Sequence, residues 1–206
     1  MRKLTVISFL TLDGVMQSPG AKDEDTEGGF GFGGWQLPFF EDSDTGLDEV
    51  MKSADALLIG RKTYEIFASY WPTTGKDIEW IGDYMNNITK YVASRRLKKV
   101  EWQNSQLLVG NVVHAIAEIK AQSGKDIIVF GSGDLVQTLM SHNLVDEYFL
   151  TIHPLILGSG KRLFRESEIA HDLVLLKSKT TKKGVVALTY KVKSRFKLID
   201  EYFLNL

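Results

Sequence analysis

Three short stretches of the chain place small or hydroxyl-bearing residues, two of them beside cations, just after an apolar run. Gly131-Ser132-Gly133 follows Ile127-Ile128-Val129-Phe130 and precedes an amphipathic segment with Leu135, Val136, Leu139 and Met140 on one stripe. Glycines between a strand end and a helix start let backbone N–H groups approach an anion at the helix's positive end. They serve a tight turn equally well, since Val136 stands where a GxGxxG pattern needs its third glycine. Gly60-Arg61-Lys62-Thr63 follows Leu58-Ile59 and adds two cations and a hydroxyl at a helix start, a combination suited to dianionic oxygen. Ser94-Arg95-Arg96 repeats that chemistry after a third apolar run. Any one of these cation pairs alone reads as solvated surface charge. All three together, each past the carboxyl end of an expected strand, fit one ligand carrying a pyrophosphate and a separate phosphate, and NADPH is such a ligand.

Reduction with such a cofactor needs an acceptor carbon held within about 3–3.5 Å and a proton source if a C=N or C=O is reduced. Candidate acids are Asp13, at the end of the first strand, and Asp48 or Glu49 on the first helix. Residues 17–40 carry GGFGFGGW at Gly28 to Trp35. The run reads either as a mobile cover over something flat, with Trp35 against the ligand, or as a surface loop whose aromatics tuck into the core. Tyr64, Phe67 and Trp71 fall at helical spacing, which suits either stacking on a flat substrate or core packing. No GxSxG elbow and no telling histidine context supports a hydrolase, and no metal-ligand set stands out.

These residues need elements to position them. Leu4 to Leu12 reads as a strand ended by Asp13-Gly14. Asp44-Thr45 begins a helix, with Asp48 three after Thr45 as a near capping box. Ala56 to Ile59 is a buried strand, Gly60 turns it into a helix, and Pro72 stops that helix. A weaker helix spans Asp83 to Ile88, and Tyr91 to Ser94 and Leu107 to Val109 are strands. Asn111 caps a helix that Gly124 ends. Asp126 to Leu163 then forms a strand, glycine turn, helix and strand, the βαβ crossover of parallel sheets. Leu173 to Lys177 and Val185 to Val192 close the chain as an antiparallel hairpin. The expected architecture is α/β: one mostly parallel sheet with helices on both faces. Residues 195–206 form an apolar extension bearing Phe196, Ile199, Phe203 and Leu206, suited to a docking helix or an oligomer contact.

The runs DALLIGRKTYEIFASYW, KYVASRRL and IIVFGSGDLVQTLMSHNLVDEYFLTIHPLILGSGKRLF are similar to the RibD C-terminal-domain family. That family is the riboflavin-biosynthesis reductase branch of the dihydrofolate-reductase-like superfamily, and the similarity covers about Lys3 to Lys193. The resemblance implies a dihydrofolate-reductase-like three-layer fold over residues 1–194 and NADPH bound across the sheet edge. It implies that Arg61, Lys62, Thr63, Ser94 and Arg95 lie by the adenosine 2′-phosphate, beside the turn at Gly60. Gly131, Ser132, Gly133, Asp134 and Leu135 would hold the pyrophosphate. It further implies a reductase of a pteridine or aminopyrimidine riboside, as in folate or riboflavin metabolism, and a homodimer. It makes His153 a core or turn histidine. No basic cluster beside the first helix in sequence marks a ribose-phosphate or folate-tail site. The rival expectation is a nucleotide-binding regulatory dimer with no turnover.

The totals agree with a globular α/β protein: 206 residues, 44% hydrophobic. A net charge of −1 argues against an electrostatic nucleic-acid or membrane binder. The lack of cysteine removes disulfides and thiolate chemistry and fits a cytoplasmic setting.

Overall fold

The structure, a computed structural model, describes residues 1–42, 44–76, 78–166 and 170–195. The expected extension beyond Arg195 lies outside the described residues.

Strands are β1 (Leu4–Thr11), β2 (Ala54–Gly60), β3 (Thr89–Ala93), β4 (Ser105–Leu108), β5 (Asp126–Phe130), β6 (Glu147–His153), β7 (His171–Thr180) and β8 (Val186–Arg195). Helices are α1 (Leu47–Lys52), α2 (Arg61–Tyr70), α3 (Glu79–Asn87), α4 (Val112–Ala121) and α5 (Gly133–Ser141). The strands form one sheet in the order β4-β3-β2-β5-β1-β6-β8-β7. The first six run parallel, and β8 pairs antiparallel with both β6 and β7. The α/β class, the parallel sheet and the closing hairpin are therefore as the sequence leads one to expect.

Side-chain alternation along the central strands makes two cores. Ala56 and Leu58 of β2, with Ile127 and Val129 of β5, pack on Ile116 of α4 and Leu135, Val136 and Leu139 of α5. Leu57, Ile59, Ile128 and Phe130 point to the other face and meet Met51 of α1, Tyr64 of α2 and Met85 of α3. Both faces of β2 and β5 are thus buried, which is why these strands read as continuous apolar runs. In the sheet β5 lies between β2 and β1, so α5 crosses over β1 to reach β6.

Three expectations shift. The first helix starts at Leu47, after Gly46 at φ +81° and with no side-chain cap, so the Thr45–Asp48 capping box does not form. Thr45 is buried instead, and Asp48 pairs with Lys52 one turn on. The third helix begins at Glu79, four residues before Asp83. The hairpin strands are also longer, because pairing with β6 and with each other extends them past their apolar cores.

The loop after β1 is pinned at several points. Phe30 and Trp35 are buried with Val15, and the Trp35 indole N–H donates to the Gln17 carbonyl at 2.8 Å. Of the two expectations for this loop, tucked aromatics describes Phe30 and Trp35, while Phe32 and Phe40 stay exposed.

Candidate active site

Because β3, β2 and β5 are neighbours and parallel, their carboxyl ends open on one edge. The three anion-type junctions, Gly60–Thr63, Ser94–Arg95 and Gly131–Leu135, therefore lie side by side. Ser132 joins two of them. Its Oγ accepts from the Gly60 N–H at 2.8 Å and lies 2.8 Å from the Thr63 hydroxyl. A Cβ on Gly60 would meet Ser132 Oγ at 3.3 Å and Cβ at 3.4 Å, so glycine is what permits this approach.

Ser132 sits at the start of α5 in the left-handed region (φ 60°), preceded by Gly131 at φ 50°. With its hydroxyl turned to β2, Ser132 does not cap α5. The first helical bond is Val136 N–H to the Ser132 carbonyl. The amides of Gly133, Asp134 and Leu135 have no acceptor among the described residues. Three amides aimed outward at a positive helix end, with the hydroxyl that would cap them diverted, suit a pyrophosphate.

The cations at this edge have different partners. Arg61 pairs with Glu65 at 2.7 Å within α2. Lys62 pairs with Glu27 of the loop. Arg95 forms no ion pair among the described residues and is exposed. The Ser94 hydroxyl accepts from the amides of Arg96 and Leu97, which folds the turn and leaves its proton free to donate. Arg165 was not singled out from sequence. Its guanidinium pairs with Asp134 at 2.7 Å and lies 3.0 Å from where a Cβ of Gly133 would stand. Only the tertiary fold brings it there, from 32 residues away.

The expected acids fare unequally. Asp13 accepts from the Thr11 hydroxyl at 2.6 Å and from the Gly158 and Leu157 amides at 2.9 and 3.2 Å. Burial raises its pKa, but these donors outweigh burial and hold it at about 2. A carboxyl so held is ionised at neutral pH, and Asp13 ties the turn after β1 to residues 157–158. Asp48 is half-exposed, and Lys52 lowers its pKa. Glu49 pairs with Lys177 of β7 at 2.8 Å and lines a cleft of about 240 Å³ with Thr45, Val50 and Phe149. Lys177 and Lys179, two residues apart on β7, reach this cleft. They are basic residues beside the first helix that linear sequence could not reveal.

The aromatic expectations also need correction. Trp35 is buried edge-on to His153, with ring centres 5.1 Å apart. Tyr64 is buried, and its hydroxyl accepts from the Glu101 and Trp102 amides. Phe67 packs between Trp71 and Phe130. Trp35 and Tyr64 are taken up by packing because the loop folds inward and the stripe of α2 faces the sheet, while Phe67 and Trp71 are half-buried. His153 is buried as expected. Burial lowers its pKa, only partly offset by the Leu10 and Thr151 carbonyls. The Thr151 hydroxyl is buried with no partner.

Fold and edge define an α/β sheet protein of the reductase-like class. The chain belongs to the RibD C-terminal domain family, whose model matches residues 2–187. Bacillus subtilis YyaP, uncharacterized, is 31% identical over 155 residues, covering 72% of this chain and 80% of that protein. B. subtilis YwjB, also uncharacterized, is 26% identical over 165 residues, covering 80% and 84%. The fold is similar to the crystal structure of a candidate riboflavin biosynthesis protein from Shewanella sp. PV-4. The TM-score is 0.69 at 24% identity, covering 93% of this chain and 99% of that one. It is also similar to a pyrimidine reductase-like protein from Corynebacterium diphtheriae, with a TM-score of 0.58 at 15% identity over 93% and 92%.

Proposed function

We propose that this protein is a cytoplasmic NADPH-dependent reductase of a small heterocycle, of pteridine or aminopyrimidine-riboside type. The observation that carries the reading is the uncapped start of α5, with three unfilled amides beside the Gly60–Thr63 and Ser94–Arg95 turns. The names of the Shewanella and Corynebacterium proteins support a riboflavin-type substrate.

In this reading Gly131 to Leu135 hold the pyrophosphate, and Arg61, Lys62, Thr63, Ser94 and Arg95 the 2′-phosphate side. NADPH supplies the hydride. The protein binds, orients and excludes water, with Phe9, Phe67 and Phe130 as an apolar wall whose rings stand 6.2–6.3 Å apart. Glu49 lines a cleft that also takes in Lys3, Asp126 and Glu147 at the amino ends of β1, β5 and β6, the opposite end of the strands from the cofactor edge, and is not assigned as the proton donor.

A second reading, a regulatory dimer that binds nucleotide without turnover, is favoured by one observation. Asp13 and Asp48 are both held below the ordinary carboxylate range, and Glu49 is exposed and paired with Lys177. Calorimetric titration followed by absorbance assays with pteridines, aminopyrimidine ribosides and quinones separates the two. NADPH is expected to bind at least about tenfold tighter than NADH, about 1.4 kcal/mol, and to be consumed with one of these acceptors. Equal affinity for both cofactors would overturn the phosphate assignment. Binding without turnover of any acceptor would leave the second reading.

A further inference from the structure

The loop after β1 reaches a cation of the cofactor edge through one carboxylate. Glu27 pairs with Lys62 in the first turn of α2, 35 residues away in sequence, and with Lys161 at 2.6 Å. Lys161 pairs in turn with Asp25. The other cations of the edge, Arg61 and Arg165, are paired with residues beside the same turns. Lys62 is the edge cation whose partner comes from the loop after β1.

We propose that Glu27 is an internal stand-in for a cofactor phosphate, so that the loop carboxylate and the bound nucleotide compete for the Lys62 ammonium group. The inference rests on the cofactor reading given above and assigns a regulating residue to that site.

Three features make the exchange easy. The first is access, since the side chains of Lys62 and Glu27 are 46% and 59% exposed, and an incoming anion can reach the pair. The second is charge. When Lys62 turns away, Glu27 keeps Lys161, and no carboxylate is stranded. The two lysines, Lys161 foremost, hold the Glu27 pKa at about 2, so it stays anionic across the neutral range. The third is backbone anchorage that does not involve Lys62. The buried Gln17 amide donates to the Asp25 and Glu27 carbonyls at 3.0 and 2.9 Å and accepts from the Lys161 N–H at 3.0 Å. Glu27 therefore keeps its place while its side chain changes partner.

The consequence is a tax on cofactor affinity that removing the carboxylate lifts. NADPH is titrated calorimetrically into wild type, Glu27→Gln, Lys62→Met, the double variant and Asp25→Asn at low salt and near 1 M salt. Glu27→Gln is expected to tighten NADPH about two- to fivefold at low salt, the scale of an exposed ion pair. The gain should fade at high salt, where the Debye length is about 3 Å. It should vanish in the Lys62→Met background, because the two changes act through one group. Asp25→Asn loosens the loop without touching Lys62 and should leave affinity near that of wild type. Unchanged or weaker binding by Glu27→Gln overturns the proposal, as does an equal gain in Asp25→Asn or a gain that survives Lys62→Met. Wild type that binds no NADPH overturns the cofactor reading and this inference together; wild type that binds while Glu27→Gln is flat overturns only the inference.

Discussion

At the scale of residues, the cofactor edge depends on backbone kept bare. Gly133 opens α5, and any Cβ there stands over the unfilled amides, 3.0 Å from Arg165 and 3.4 Å from Met16 Sδ. Both neighbours are ends of flexible side chains, so Gly133→Val is expected to fold. It should weaken NADPH at least about tenfold by occupying the anion's place. Unchanged affinity in a folded variant would make the turn purely structural. Asp13 answers a different question. As a tie for the turn after β1, Asp13→Asn should leave kcat nearly unchanged while costing roughly 1–2 kcal/mol of stability in a denaturant titration. Its pKa is about 2 folded against 3.8 ordinarily. The stabilisation it gives is therefore complete above pH 4 and lost as pH falls toward 2, because the unfolded chain takes up the proton first. A large loss of kcat at full stability would instead restore Asp13 as a catalytic acid.

At the scale of elements, the hidden constraint is the end of α3. Lys90, in the first half of β3, is fully buried. Its ammonium donates to the carbonyls of Met85, Asn86 and Ile88 at 2.9, 3.1 and 2.8 Å and lies 4.2 Å from the Trp102 ring centre. It satisfies carbonyls that a helix end leaves open and meets the negative end of the helix dipole. Burial depresses its pKa to about 8, so it is still charged at neutral pH. Lys90→Met should keep the volume, leave those carbonyls unpaired and cost about 2 kcal/mol or more, read as a lower denaturation midpoint. Wild-type stability in that variant would mean that water replaces the ammonium at no cost.

At the scale of the whole molecule, the sheet ends on β7, an outer strand with its leucines in water. Leu173, Val174, Leu175 and Leu176 are 38–53% exposed. Leu173 and Leu175 pair with Val192 and Tyr190 of β8, and so extend the apolar face formed with α4 and α5. An edge strand of this kind invites pairing. We propose a second copy of the chain as its occupant. The double change Leu173→Lys with Leu175→Lys is expected to convert a dimer to a monomer in sedimentation experiments. A wild-type monomer, or a dimer indifferent to the change, would send the strand's cover back to the chain itself. Among the described residues no helix is long and apolar enough to cross a membrane.

Periodicity and punctuation in the sequence settled the elements and their order. Runs such as Leu57-Leu58-Ile59 and Ile127-Ile128-Val129 are buried on both faces, and few folds other than a covered parallel sheet allow that. The glycine and cation turns were legible for the same reason: each is a local device within a few residues. Only tertiary structure could decide what lies opposite them. Arg165 over Gly133, Glu27 on Lys62, and Lys177 and Lys179 beside α1 are contacts between segments 32 to 135 residues apart. No local pattern encodes such separations. The burial of Tyr64 was hidden on the same ground, since helical spacing states which residues share a face but not whether that face meets a ligand or the sheet. Asp13 shows both halves of the point. Its type and place suggest an acid, while its strength is set by the Thr11 hydroxyl two residues back and, beyond any local pattern, by two amides 144 and 145 residues away.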